Sequence, residues 1–186
     1  MKTSGHSENR ILTVPNLLSL FRLLLIPVFV HQYLQENYTA TGLLLLLSGL
    51  TDMADGFIAR HFHAVSNLGK ILDPVADKLT QVSMLICLVS RYPLMLILVI
   101  IMIFKELFMS ISGVLVIHKT GTVFGADWHG KAATILLYLT MFIHVFWISI
   151  PAAVSNVLIG ACAVMLAVSL VLYGIHHIKA LKGAVK

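Results

Sequence analysis

Asp52, Asp55, Asp73 and Asp77, half of the chain's eight carboxylates, fall within 26 residues of some of its most apolar sequence. An ionised carboxylate in hydrocarbon costs several kcal/mol unless it is compensated, so four together imply a shared cation and a reaction. Asp52 and Asp55 are spaced i, i+3, and Asp73 and Asp77 i, i+4. On helices each pair shares a face, and the two faces can converge. Four hard oxygen donors suit one or two divalent cations, Mg²⁺ or Mn²⁺ more than a soft metal. Gly56 and Ala59 follow Asp55 at helical spacing and present a surface without bulky side chains. Arg60 adds a bidentate phosphate donor, and Gly69 opens the opposing segment. Carboxylates, a divalent metal, a small-residue floor and an arginine together describe a site for a diphosphate-containing substrate.

The elements that position these residues are read from hydropathy. Of 186 residues 59% are hydrophobic and only 11% charged, and the mean hydropathy is +0.94. Soluble domains carry nearer a quarter charged residues. The expected fold is an all-α integral membrane protein of six transmembrane helices, near Leu12 to Leu34, Ala40 to Arg60, Asn67 to Ser90, Pro93 to His118, Gly130 to Ser149 and Ala152 to His176. Residues 1–186 read as one membrane domain, with 1–11 a short cytoplasmic segment and the first apolar run a retained span. Lys2, Arg10, Lys119, Lys179, Lys182 and Lys186 fall on one side, with Arg60 and Lys70 at helix ends facing it, and the opposite loops offer only Arg91. Both termini are therefore expected to be cytoplasmic, with all four aspartates in the inner-leaflet half. The +5 net charge suits a surface lying against anionic lipid. Cys87 and Cys162 lie inside apolar runs and read as small core residues. Pro74 is expected in the first turns of the third span, where its missing N–H matters least.

Taken together, Asp52, Asp55, Gly56, Ala59, Arg60, Gly69, Asp73 and Asp77 spell DxxDGxxAR, eight further residues, then GxxxDxxxD. This pattern resembles the signature of the CDP-alcohol phosphotransferases, whose six-span fold also agrees with the hydropathy. The resemblance covers essentially the whole chain, with its specificity concentrated between Asp52 and Asp77. It implies a direct displacement in which a CDP-linked lipid loses CMP as an alcohol hydroxyl attacks the β-phosphorus. Asp52, Asp55, Asp73 and Asp77 would hold two ions, Mg²⁺ or Mn²⁺, and Asp77 would also take the acceptor's proton. Gly56, Ala59, Arg60 and Gly69 would accommodate the nucleotide. Asn16, Ser19 and Arg22 share one face of the first helix and resemble the family's polar pattern there, which places them in the nucleotide or phosphate region. The implied partners are CDP-diacylglycerol, an alcohol acceptor, membrane lipids and a second copy of the chain in a homodimer, with no nucleic acid.

The acceptor is the open point. The stretches VPNLLSLFRLLLIPVFV from Val14 and LGKILDPVADKLT from Leu68 resemble phosphatidylglycerolphosphate synthases, which use glycerol 3-phosphate, whereas GLTDMADGFIAR from Gly49 also resembles cardiolipin synthases, which use phosphatidylglycerol. Lysine and glycine stand at Lys105 and Gly113, where the former enzymes carry arginines. Lys105, Lys131, His129 and Arg22 are the candidate donors to an acceptor phosphate, with glycerol 3-phosphate the leading reading. Competing readings stand beside these. Arg22, Lys78 and Lys105 are as well explained by pairing with a carboxylate such as Glu106. His61 and His63 suit a solvated loop, and His176 and His177 with Lys179 and Lys182 a surface tail. Tyr92, Trp128 and Trp147 suit interfacial anchoring, and Ser110, Ser112 and Gly113 a close helix contact. A divalent-cation transporter would also hold intramembrane carboxylates, but it needs acidic groups reached from both sides, and the outer halves of spans two and three carry none.

Overall fold

The computed structural model describes residues 13–61, 69–121 and 127–183, with the side chains at 53, 55–61, 70 and 183 outside the description. These residues form six α-helices and, among them, no strand: α1 Val14–Leu34, α2 Tyr38–His61, α3 Gly69–Val89, α4 Met95–Thr120, α5 Trp128–Phe146 and α6 Ala152–Gly183. Each expected span is a helix. Among the described residues, α1, α4, α5 and α6 are long and apolar enough to cross a membrane, and α2 and α3 are not in that set. The aspartates of the motif, and Lys78 beside them, also lower the hydropathy of the helices that carry it.

Around an apolar core that includes Phe29, Leu45, Met84, Leu98 and Leu137, the helices also expose large apolar side chains and bury polar ones. Leu24, Ile86, Ile100, Phe104, Ile111, Ile135 and Val157 are exposed, while Arg22, Gln81, Lys105, Thr140, His144 and Ser169 are buried. Lipid is as apolar as leucine, so the polar side chains turn inward and find one another there. With four apolar helices of spanning length, the chain is a multi-pass membrane protein.

The helices fall into two compact units, Met1–Cys87 and Leu88–Lys186. In the first, Thr13 caps α1 by accepting the Asn16 N–H at 3.4 Å, and Pro15 stands in the first turn, where it displaces no intrahelical bond. Asn16, Ser19, Arg22, Leu25, Phe29 and Tyr33 form the buried stripe of α1, recurring every three or four residues. Residues 35–37 reverse the chain. Glu36 takes a positive φ of 60° and the Asn37 side chain accepts the Ala40 N–H at 3.3 Å, so α1 and α2 pack as a hairpin. Pro74 lies inside α3, in its second turn, within the first turns of the span where it is expected. It therefore cannot supply the N–H that the Lys70 carbonyl would otherwise accept, a cost borne at the helix end that holds Asp73 and Asp77.

In the second unit α6 packs on both α4 and α5. α4 stops at Gly121, whose φ of 67° lets its N–H reach the Ile117 carbonyl at 2.9 Å. At one end of this unit Arg91 donates to the Ile148 carbonyl at 3.0 Å, and His144 sits between the Thr140 carbonyl at 2.7 Å and the Ser155 hydroxyl at 2.9 Å. At the other end α6 continues to Gly183, past the end expected at His176. The expected surface tail is thus partly corrected: His177 is buried and meets the Ser112 hydroxyl at 2.7 Å, docking the last turns of α6 on α4. Ser112 accordingly marks a contact within one chain, whereas a Cβ on Gly113 would meet nothing within 4 Å.

Candidate active site

Three helices of the first unit meet at one guanidinium. Arg22 of α1 donates from Nη1 to Asp52 of α2 and from Nη2 to Asp73 of α3. Its Nη2 also lies 3.4 Å from the Ser19 hydroxyl, which in turn donates to the Pro15 carbonyl at 3.1 Å. The fork of arginine is what allows one side chain to serve carboxylates on two helices. One turn further along α3, Asp77 accepts from Gln81 Nε2 with both carboxylate oxygens, at 2.9 and 3.0 Å, and lies 3.3 Å from the Lys78 ammonium. Asp73 and Asp77 both lie within electrostatic range of Asp52. Of the faces predicted to converge, those of Asp52 and Asp73 do so, on the two arms of the Arg22 guanidinium. Asp55, Gly56, Ala59 and Arg60 follow on α2, with their side chains outside the described residues; Gly69 is the first described residue of α3, and His63 lies outside the described residues.

The donor set fits a hard divalent cation in chemistry and charge. The described ligating atoms are carboxylate oxygens alone, three acidic side chains against Arg22 and Lys78, and Asp55 would add to the negative excess. Asp52 and Asp73 are 38% and 44% exposed, whereas Arg22 is 1% exposed, so both carboxylates keep an open side away from the arginine. Among the described residues no group of three or more ligating side chains is already assembled around a common point.

The weaker sequence candidates divide. Asn16 and Ser19 share the buried α1 face with Arg22. Arg22 itself is turned to the aspartates, as the pairing reading allowed. In the second unit Lys105 is buried and its ammonium lies 2.7 Å from Glu106, again a pairing. Lys131 is exposed. His129 is buried, 3.3 Å from the Ser169 hydroxyl and 3.4 Å from Asp127, with Tyr173 edge-on at 4.5 Å. Asp127 also lies 3.2 Å from His176, and its N–H donates to the Tyr173 hydroxyl at 2.8 Å. Asp127 and Gln81 were missed by the sequence reading. Gln81 was detectable, since it stands i+4 from Asp77; Asp127 gave no signal because its partners come from α5 and α6.

An all-α, multi-pass membrane protein with an acidic cluster shared between helices is the class these features define. The pattern of the CDP-alcohol phosphatidyltransferase family matches residues 12–173, and the chain belongs to that family. It is 30% identical over 174 residues to a CDP-diacylglycerol--glycerol-3-phosphate 3-phosphatidyltransferase of Aquifex aeolicus, covering 90% of this chain and 97% of that protein. It is 38% identical over 104 residues to a cardiolipin synthase (CMP-forming) of Streptomyces coelicolor, covering 53% of this chain and 48% of that protein. The similarity to relatives from Mycobacterium tuberculosis and Mycobacterium bovis, 47% over 78 residues, spans 37% of their length.

Proposed function

We propose that this protein transfers the phosphatidyl group from CDP-diacylglycerol to glycerol 3-phosphate, forming phosphatidylglycerol phosphate and releasing CMP. The observation that carries the reading is the meeting of Asp52 and Asp73 from two helices at Arg22, with Asp77 one turn along α3, inside the family-matching segment. Near-complete coverage of the Aquifex relative supports this acceptor. Higher identity to cardiolipin synthases over shorter segments favours the second reading, with phosphatidylglycerol as acceptor.

Asp52, Asp55, Asp73 and Asp77 would hold Mg²⁺ or Mn²⁺, as two ions. When bound, such ions neutralise the diphosphate and stabilise the departing CMP. The chain's own residues do the rest. Asp77 takes the proton of the acceptor hydroxyl as its oxygen bonds to the phosphatidyl phosphorus, and the bond from that phosphorus to the CMP oxygen breaks. Gln81 fixes the plane of the Asp77 carboxylate. Gly56, Ala59, Gly69 and Arg60 form the nucleotide floor and its phosphate donor, with Asn16 and Ser19 on the facing stripe of α1. Lys131 and His129 are the remaining candidates for an acceptor phosphate, Lys105 being engaged by Glu106. The reading includes a single membrane domain with cytoplasmic termini, an active site open to the cytoplasm, and a homodimer; the Lys and Arg distribution supports the orientation.

The test is CMP release by the purified chain in mixed micelles with CDP-diacylglycerol and Mg²⁺. Turnover with glycerol 3-phosphate, lost on chelation and restored by Mn²⁺, is the expected result. Turnover only with phosphatidylglycerol would establish the second reading, and no CMP release with either acceptor would overturn both.

A further inference from the structure

Arg22 is buried, yet the two carboxylates it engages are more than a third exposed. The guanidinium therefore approaches Asp52 and Asp73 from the interior side, and each carboxylate keeps a face open on the other. A buried guanidinium is costly unless paired, and two carboxylates drawn together from different helices repel unless a cation stands between them. Each side of this triplet thus requires the other as long as no other cation is bound. Ser19, itself tied to the Pro15 carbonyl, keeps Nη2 directed toward α3.

Resting on the metal reading proposed above, we infer that Arg22 is a resident counter-cation that holds Asp52 and Asp73 in register before metal binds and competes with the metal for their oxygens. It is a positioning residue, and it sets metal affinity in a definite direction. A divalent ion entering from the open side must share or displace the guanidinium and bind against its positive charge. Loss of Arg22 then lowers the stability of the metal-free protein while tightening the metal. A merely structural arginine would give the opposite sign for metal, because carboxylates that splay apart bind it less well. An arginine that served only the donor's phosphate would leave metal affinity unchanged and raise KM for CDP-diacylglycerol.

The deciding experiment is Mn²⁺ binding to the full chain in detergent, read from the paramagnetic resonance of free Mn²⁺, for the unsubstituted protein and Arg22→Gln. The expected result is a Kd for Mn²⁺ about tenfold lower in Arg22→Gln, with a lower melting temperature in chelator and a larger upward shift on adding metal. A folded Arg22→Gln protein with equal or weaker Mn²⁺ binding would overturn the inference. Where Arg22→Gln does not fold, the unsubstituted protein with ¹⁵N-labelled arginine decides. The Arg22 Nη resonances, assigned by substituting Arg10, Arg60 and Arg91, move on adding Mg²⁺ if the guanidinium is displaced, and their constancy rejects the idea. Asp52→Asn and Asp73→Asn separate this from the reading beneath it. If neither weakens Mn²⁺ binding, the metal site falls and the inference with it; if both do while Arg22→Gln changes nothing, only the inference falls.

Discussion

Asp77 is the residue whose surroundings differ most from those of its neighbours. Asp52 and Asp73 face a guanidinium, whereas Asp77 has both oxygens on the Gln81 amide and Lys78 to one side. A neutral amide orients a carboxylate without neutralising it, which suits a group that must accept a proton beside the metal it helps to hold. Asp77→Asn is expected to lower kcat for CMP release by about 10²–10⁴-fold with the helical circular dichroism unchanged. Retained turnover in the folded variant would remove Asp77 from the chemistry. Gln81→Leu keeps the carboxylate but frees its plane. A drop in kcat of about tenfold with KM for the donor nearly constant is the expected outcome, since orientation and not binding is lost.

At the scale of elements, α5 and α6 meet where there is no room for a side chain. A Cβ built on Gly130 would lie 2.5 Å from the Tyr173 hydroxyl and 3.0 Å from its ring, and that hydroxyl already accepts the Asp127 N–H at 2.8 Å. Tyr173 is buried, so relief requires the two helices to separate or the hydrogen bond to break. Gly130→Ala is expected to cost about 1–3 kcal/mol, seen as a lower melting temperature in detergent. An unchanged melting temperature would mean that α6 yields at this point. α2 and α3 show the opposite economy: their polar ends are too charged to count as apolar spans, and the ion pairs to Arg22 compensate the charge that hydropathy penalises.

For the whole molecule the open variable is how many helices cross. Four crossings by α1, α4, α5 and α6 and six crossings by all helices both put the termini on one side, so tagging the termini does not distinguish them. Position 66, in the connection from α2 to α3, does. A cysteine there is expected to react with an impermeant maleimide only from the cytoplasmic face, as six crossings with cytoplasmic termini require; Cys87 and Cys162 are buried and do not compete. Labelling from the opposite face would leave α2 and α3 outside the cytoplasmic half and overturn the proposed orientation of the site.

The sequence alone determined the number of helices, their lipid-facing character and the identity of the acidic pair on each of α2 and α3. These follow from local quantities, namely runs of apolar residues about as long as a bilayer is thick and helical spacings of three and four. The family was equally legible, because DxxDGxxAR and GxxxDxxxD are local strings. Only the tertiary structure decided that Arg22 belongs to Asp52 and Asp73, that Lys105 is taken by Glu106, and that His177 is buried against Ser112. For Arg22 and His177 the partners stand 30 to 65 residues apart in the chain. Spacing cannot specify such pairings. A cation in lipid must find a carboxylate, but which one depends on how the helices pack.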